Sequence, residues 1–135
     1  MGTDRFKWIF FLSVFLFIFH AIEEYITGFY AIDSHVAFVF GWFEPFLSFQ
    51  STFIFFQLLL WAFLFATYFF LLDGKWGTAV AVIIGLVFIY ELDHLYKAAT
   101  VGGYYPGLWT ALLFPVFGFF YWRELSRVYN SKKYL

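Results

Sequence analysis

The stretch FKWIFFLSVFLFIFHAIEEYIT, which runs from Phe6 to Thr27, decides the fold of this chain. A helix needs about 20 mainly apolar residues to cross the roughly 30 Å hydrocarbon core of a bilayer, and this stretch supplies them. Its apolar run is longer than the core of a secretory signal peptide, and no small-residue cleavage site follows it. The stretch therefore predicts a first transmembrane helix, with the polar residues His20, Glu23 and Glu24 near one end.

The rest of the chain has the same apolar character. Of its 135 residues, 64% are hydrophobic, 30% are aromatic and 13% are charged, and the mean hydropathy of +0.80 is typical of an integral membrane protein. Three further segments are long enough to cross a membrane: Ser51 to Leu72, Trp76 to Ala98 and Pro106 to Leu125. We predict an all-α polytopic membrane protein, with four transmembrane helices in a bundle that forms a single domain over residues 1–135.

Glycines and a proline mark the ends of these segments. Gly28 follows the first segment, Asp73-Gly74-Lys75 predicts a tight turn after the second, and Gly102-Gly103 separates the last two. Pro106 is well placed to open the fourth helix. Pro115 removes a backbone hydrogen bond inside that helix and is expected to kink it.

The connection between the first and second segments, from Phe29 to Gln50, is long and aromatic. Within it, the run from His35 to Phe43 predicts a short interfacial or re-entrant helix, because Asp33 or Ser34 can cap its start and its composition is mostly apolar. Asp33 and His35 are otherwise interpreted as loop residues.

The distribution of basic residues predicts the orientation of the chain in the cell membrane. With four spans both termini lie on one side, and that side collects all but one of the lysines and arginines: Arg5, Lys7, Lys75, Arg123, Arg127, Lys132 and Lys133. Lys97 alone falls on the other side. Because positive charge is retained in the cytoplasm, we expect both termini to be cytoplasmic. No basic patch indicates nucleic acid, and the absence of cysteine excludes disulfides and Fe–S clusters.

Two polar stretches are predicted to lie at the same depth in the bilayer. At 1.5 Å per residue, the residues from His20 to Glu24 lie about 18 to 24 Å above Trp8, and those from Glu91 to His94 lie about 22 to 27 Å above Trp76. The long connection that carries Glu44 belongs to the same outer layer. Ionisable side chains inside a membrane are costly unless they are paired or face water, so this layer is a candidate functional site.

The spacing within the two stretches brings histidine and carboxylate side chains together. His20 is three residues from Glu23 and four from Glu24, and Glu91 is three residues from His94, so each set shares a helix face. Facing helices build metal sites in bundles in this way, although one run here is reversed relative to the di-iron Glu-x-x-His pattern. The predicted ligands of a divalent iron, manganese or zinc ion are His20, Glu23, Glu24, Glu44, Glu91 and His94. Each stretch also fits a simple hydrogen-bonded pair between two helices, and Asp93 is expected to pair with Lys97.

The two stretches also carry a family resemblance. The motif HAIEEY at residues 20–25, followed by Gly28-Phe29, and the later motifs ELDH at residues 91–94 and YPGLWTA at residues 105–111, resemble the HXXEE-motif family of small membrane proteins. The resemblance covers most of the chain, from the first helix to the fourth, and the name-giving motif is matched in full. The chain differs from the family pattern in the Phe29-Tyr30 turn. The resemblance implies the site and the architecture, but no reaction.

Three kinds of function are compatible with these residues. The first is a membrane enzyme that acts on a lipophilic substrate through a metal ion, with Glu24 and Glu91 as catalytic residues. The second is a metal-free isomerase in which the same carboxylates move protons. The third is a non-enzymatic accessory subunit that binds pigment, haem or lipid, either as a homo-oligomer or within a larger membrane complex. A transporter is disfavoured because no polar route continues toward the cytoplasmic side.

Overall fold

The computed structural model describes the backbone of residues 4–133 and the side chains of residues 4–70 and 72–131. This part of the chain consists of helices and the turns that connect them, and it contains no strand. The helices are α1 (Asp4–Ile26), α2 (Phe29–Ile32), α3 (Ser34–Phe40), α4 (Phe49–Ala66), α5 (Gly77–Tyr90), α6 (Asp93–Val101), α7 (Leu108–Ala111) and α8 (Phe114–Lys133). A π-helical turn, Thr67–Leu71, extends α4. The predicted domain of residues 1–135 also includes residues 1–3 and 134–135, and the predicted basic tail includes the side chains of Lys132 and Lys133; both lie outside the described residues.

Three helices are long and apolar enough to span a membrane: Asp4–Ile26, Phe49–Phe70 and Gly77–Val101. The last of these combines α5 and α6, which a short turn at Glu91 and Leu92 interrupts. The predicted fourth span corresponds to α7 and α8, which are separate helices and are not among these three. Their separation follows from Pro115, which has no N–H to continue the hydrogen-bond ladder from the preceding turn.

The predicted turns lie where the glycines indicated them. Gly28, with φ 75°, separates α1 from α2, and Gly102, with φ 67°, ends α6. Gly107, with φ 85°, precedes α7, so this helix begins after Pro106 and not at it. In the connection, the predicted short helix is α3, and the Asp33 carboxylate accepts hydrogen bonds from the backbone N–H groups of His35 and Val36 at its start.

The main core lies where α1, α5 and α8 meet. Tyr121 of α8 is fully buried among aromatic rings, and its hydroxyl donates to the Ala81 carbonyl of α5 at 2.8 Å. Trp122 donates to the Gly85 carbonyl at 3.1 Å, and its ring occupies the space that a side chain at position 85 would fill. These contacts fix α5 against α8, so that the polar ends of α1 and α6 come together at one end of the core.

Candidate metal centre

Four side chains from α1 and the α5–α6 segment converge at one end of the core. His20 and Glu24 lie one turn apart on α1, Glu91 lies in the turn between α5 and α6, and His94 lies in the first turn of α6. One nitrogen or oxygen atom from each of the four lies within 4.8 Å of the corresponding atom of the others. We call this group the candidate metal centre. It unites the two polar stretches, as the spacing predicted.

The distances within the candidate metal centre fit ligands of a single ion. His20 Nε2 lies 3.0 Å from Glu91 Oε2 and 3.6 Å from Glu24 Oε1. His94 Nε2 lies 3.2 Å from Glu24 Oε1 and 3.3 Å from Glu91 Oε2. Four nitrogen and oxygen ligands in a tetrahedron around an ion at about 2.1 Å are themselves separated by about 3.4 Å. Each Nε2 atom therefore lies at ligand-to-ligand distance from both carboxylates.

The candidate metal centre is buried, and its walls are aromatic. His20, His94 and Glu24 are 3%, 4% and 5% exposed. The two imidazole rings are 4.7 Å apart between centroids, the Phe114 ring packs on His20 and the Phe29 ring packs on His94. Two ionised carboxylates in such surroundings require positive charge close by, because a buried unpaired charge is costly. A divalent cation supplies that charge, and so do protonated imidazoles.

The hydrogen bond on the far side of the His94 ring determines which nitrogen faces the carboxylates. His94 Nδ1 lies 2.7 Å from the Pro106 carbonyl oxygen. A carbonyl only accepts hydrogen bonds, so Nδ1 carries a proton and donates it. The neutral ring then presents the lone pair of Nε2 to Glu24 and Glu91. Metal-ligating histidines are typically oriented by such a bond to a backbone carbonyl.

His20 is oriented in the same way through a side chain. Its Nδ1 lies 2.7 Å from Thr110 Oγ1, and that hydroxyl lies 2.6 Å from Glu23 Oε2, to which it donates. Because the hydroxyl proton is directed at Glu23, His20 Nδ1 is the donor to Thr110. His20 Nε2 is buried and has no hydrogen-bond partner among the described residues. This nitrogen faces Glu91 Oε2 at 3.0 Å and Glu24 Oε1 at 3.6 Å, and a lone pair directed toward two carboxylates fits a cation bound between them.

Gly107 brings the backbone directly over both imidazole rings. A Cβ atom built at this position would lie 2.8 Å from His20 Cε1 and 2.8 Å from His94 Nδ1. Its φ of 85° also lies in the left-handed region, which favours glycine. Pro106, Gly107 and Thr110 thus form a cover over the two histidines.

Two of the predicted ligands lie elsewhere. Glu23 lies outside the candidate metal centre, and its carboxylate accepts hydrogen bonds from the backbone N–H groups of Trp109 and Thr110 at 3.0 and 2.8 Å. It therefore holds the cover against α1. Glu44 is exposed in the turns after α3 and belongs to neither of the His and carboxylate groups found among the described residues.

A second polar cluster lies beside the candidate metal centre and contains the positively charged side chain of Lys97. Lys97 Nζ lies 2.5 Å from Asp33 Oδ2 and 2.5 Å from Asp93 Oδ2, so the predicted pair of Asp93 with Lys97 is confirmed. The Tyr105 hydroxyl donates to Asp33 at 2.7 Å. Burial acts to raise the pKa of Asp33, but the hydrogen bonds from Lys97 and Tyr105 outweigh it and hold this pKa at about 2. His35 is largely exposed at the edge of this cluster.

Comparison with known proteins adds a family assignment to this geometry. Residues 10–121 match the model of a family described as "Protein of unknown function with HXXEE motif". The chain belongs to this family. The HXXEE motif spans His20 to Glu24, so the geometry divides its roles: the histidine and the last glutamate enter the candidate metal centre, and the first glutamate holds the cover. No curated protein and no solved structure matches the chain.

Sequence reasoning did not identify the residues that orient the histidines in this HXXEE protein. These residues are Pro106, Gly107 and Thr110, and none has a side chain that typically binds a metal. Their segment belongs to the motifs that carry the family resemblance, but the resemblance implied no role for it. The only available signal was the Pro-Gly pair, which predicts a backbone that turns sharply at the depth of the two polar stretches.

Proposed function

We propose that this protein is an integral membrane protein that binds one divalent transition-metal ion through His20, Glu24, Glu91 and His94. The observation that carries this proposal is the position of His20, whose buried Nε2 lies 3.0 Å from Glu91 Oε2 and 3.6 Å from Glu24 Oε1 while its Nδ1 is held by Thr110. Two imidazoles and two carboxylates suit iron, manganese or zinc by ligand type. The charge of a divalent ion also balances the two carboxylates.

We further propose that the bound ion acts on a lipophilic substrate. A divalent ion in such a site polarises a substrate oxygen or lowers the pKa of water. A carboxylate that binds an ion through one oxygen keeps a second oxygen, and Glu24 and Glu91 would use that oxygen to hold a proton during the reaction. The lipophilic class follows from the surroundings, since the outer surfaces of α1 and α4 carry exposed apolar side chains such as Phe19, Ile26 and Leu58.

Metal content tests the proposal directly. Protein purified gently from cells supplied with iron, manganese and zinc is expected to carry close to one ion per chain by elemental analysis. His20→Ala and His94→Ala should each lose it, because each removes a ligand. His35→Ala is the matched control, since the third histidine has an exposed side chain and lies outside the centre.

The competing functions give different outcomes. Folded protein that contains no metal after purification from metal-supplied cells would favour acid–base chemistry by Glu24 and Glu91. An activity that chelators leave unchanged would favour the same chemistry. An absorption band of a pigment or haem in the visible range would favour an accessory role. Metal that remains bound in both histidine variants would contradict the assignment of the ligands.

A further inference from the structure

An apolar groove of about 590 Å³ lies between α5 and α8. Its walls include Phe88, Ile89, Phe119 and Trp122. It extends along α8 from Pro115, near the candidate metal centre, to Arg127, near the opposite end of the helix. Twelve residues of helix at 1.5 Å each correspond to about 18 Å. This length is close to half of the roughly 30 Å hydrocarbon core of a bilayer.

The far end of the groove is polar and positively charged. Arg123, Ser126 and Arg127 line it there. Both guanidinium groups contact the same carboxylate oxygen, Glu124 Oε1, at 2.9 and 2.6 Å, so two positive charges share one buried negative charge. Their side chains are 43% and 54% exposed. Since a guanidinium has five N–H donors, both arginines keep donors for a further anion.

We propose that this groove binds an anionic phospholipid, with its phosphate at Arg123 and Arg127 and one acyl chain along the apolar walls. The two features of the groove match the two parts of such a molecule. Arginine binds phosphate with paired, charge-assisted hydrogen bonds, and the unbalanced positive charge favours an anionic headgroup over a zwitterionic one. The length of the groove corresponds to one leaflet, so the headgroup lies at the interface when the chain reaches toward the bilayer centre.

The end of the groove opposite the arginines lies close to the candidate metal centre. Phe114 and Leu92 line this end. The Phe114 ring also packs on His20, with 5.0 Å between ring centroids, and Leu92 follows Glu91 in the chain. The end of the acyl chain is therefore separated from the centre by one aromatic ring. The lipid site does not depend on metal binding, and its test needs no metal.

Quenching of tryptophan fluorescence by brominated lipids tests the proposal. The protein is placed in zwitterionic bilayers that contain a small fraction of lipid brominated on its acyl chains, with either an anionic or a zwitterionic headgroup. The anionic lipid is expected to quench more, because it is enriched in the groove beside Trp122. In Trp122→Phe this excess should fall, which assigns the quenching to the groove.

Charge variants locate the headgroup. Arg123→Gln and Arg127→Gln should each reduce the preference for the anionic lipid about fivefold, since one basic side chain at a membrane surface contributes about 1 kcal/mol. Lys75→Gln is the matched control, because this lysine lies over the Trp76 ring, outside the groove. The comparison of unaltered protein with Trp122→Phe remains decisive if the arginine variants fail to fold.

Three results would overturn the proposal. The first is equal quenching by the two lipids. The second is additional quenching by the anionic lipid that persists when both arginines are replaced, or when Trp122 is replaced. The third is coverage of the groove by a second copy of the chain. Because the chain has no cysteine, Phe119→Cys introduces a single thiol in the groove wall, and efficient disulfide formation between two chains would identify that second copy.

Discussion

The Thr110 hydroxyl connects two residues with different roles, since it accepts from His20 and donates to Glu23. Thr110→Val keeps the shape of the side chain and removes both hydrogen bonds. We expect the affinity for metal to fall about 10- to 100-fold, the usual effect of removing the partner that orients a ligating histidine. Competition with a metal-binding dye measures the affinity.

Thr110→Ser is the control for this change, because serine retains the hydroxyl. It should bind metal nearly as tightly as the unaltered protein. Equal affinities in the valine and serine variants would show that Thr110 does not orient His20.

Gly107 is the second residue on which the geometry depends. Gly107→Ala places a methyl group where His20 Cε1 and His94 Nδ1 now lie, and it also strains a backbone with φ 85°. We expect loss of most of the bound metal and a lower thermal unfolding temperature. Elemental analysis and thermal unfolding in detergent measure the two effects.

Gly103→Ala serves as the matched control in the same connection, since nothing lies within 4 Å of a Cβ atom at that position. It should keep its metal. If both alanine variants retained metal equally, the close approach of residue 107 to the histidines would not matter for the site.

At the scale of residues, the sequence predicted which histidines and carboxylates meet, but not how the two glutamates of the motif divide their roles. His20, Glu24, Glu91 and His94 follow from helical spacing. The same spacing places both Glu23 and Glu24 beside His20, and only the position of α7 decides between them, because its backbone N–H groups hold Glu23. Spacing within one helix carries no information about an element that is distant in the sequence.

At the scale of elements, α3 depends on one carboxylate. Asp33→Ala removes the hydrogen-bond acceptor of the His35 and Val36 amides, and losing such a cap typically costs about 1 kcal/mol. We expect faster hydrogen exchange at these two amides. Asp33→Asn is the control, because the amide side chain still caps the helix while the ion pair with Lys97 is weakened.

The same carboxylate gives α3 a dependence on pH. Its pKa of about 2 in the folded chain lies below the ordinary 3.8, so the ionised group stabilises the fold above pH 3.8. This contribution is lost as the pH falls from 3.8 toward 2. The protection of the Val36 amide against hydrogen exchange, relative to its intrinsic exchange rate at each pH, should therefore fall over this range in the unaltered protein. The loss of protection should be smaller in Asp33→Asn; an identical response would contradict the role of the charge.

Two of the predicted transmembrane helices are interrupted in the structure, and the apolar pattern of the sequence did not predict these interruptions. Apolar composition predicted one continuous third helix, yet Glu91 lies in a turn between α5 and α6. This turn directs its side chain to both histidines. Pro115 was expected to kink one helix, and instead α7 and α8 are separate. Both departures lie at the candidate metal centre, where tertiary contacts outweigh local preference.

At the scale of the whole molecule, the number of spans decides where the termini lie. If α7 and α8 cross the membrane together as the fourth span, both ends of the chain are cytoplasmic. Ser131→Cys and Lys75→Cys should then react with a membrane-impermeant thiol reagent only after the cells are opened. Thr100→Cys and Trp42→Cys, on exposed residues of the opposite side, should react in intact cells.

The absence of native cysteine makes this experiment free of background. Labelling of Ser131→Cys in intact cells, together with protection of Lys75→Cys, would indicate three spans and contradict the proposed orientation. Labelling of both only after opening would support four.

The position of the cover over the histidines has a consequence for biogenesis. All four residues of the candidate metal centre are synthesised before residues 106–110, but those later residues hold the two imidazoles in place. A ribosome that has made His94 has therefore not yet made the groups that orient it. If the centre binds an ion as we propose, a nascent chain that ends before residue 106 would hold it weakly, and capture with full affinity would follow the synthesis of this last segment.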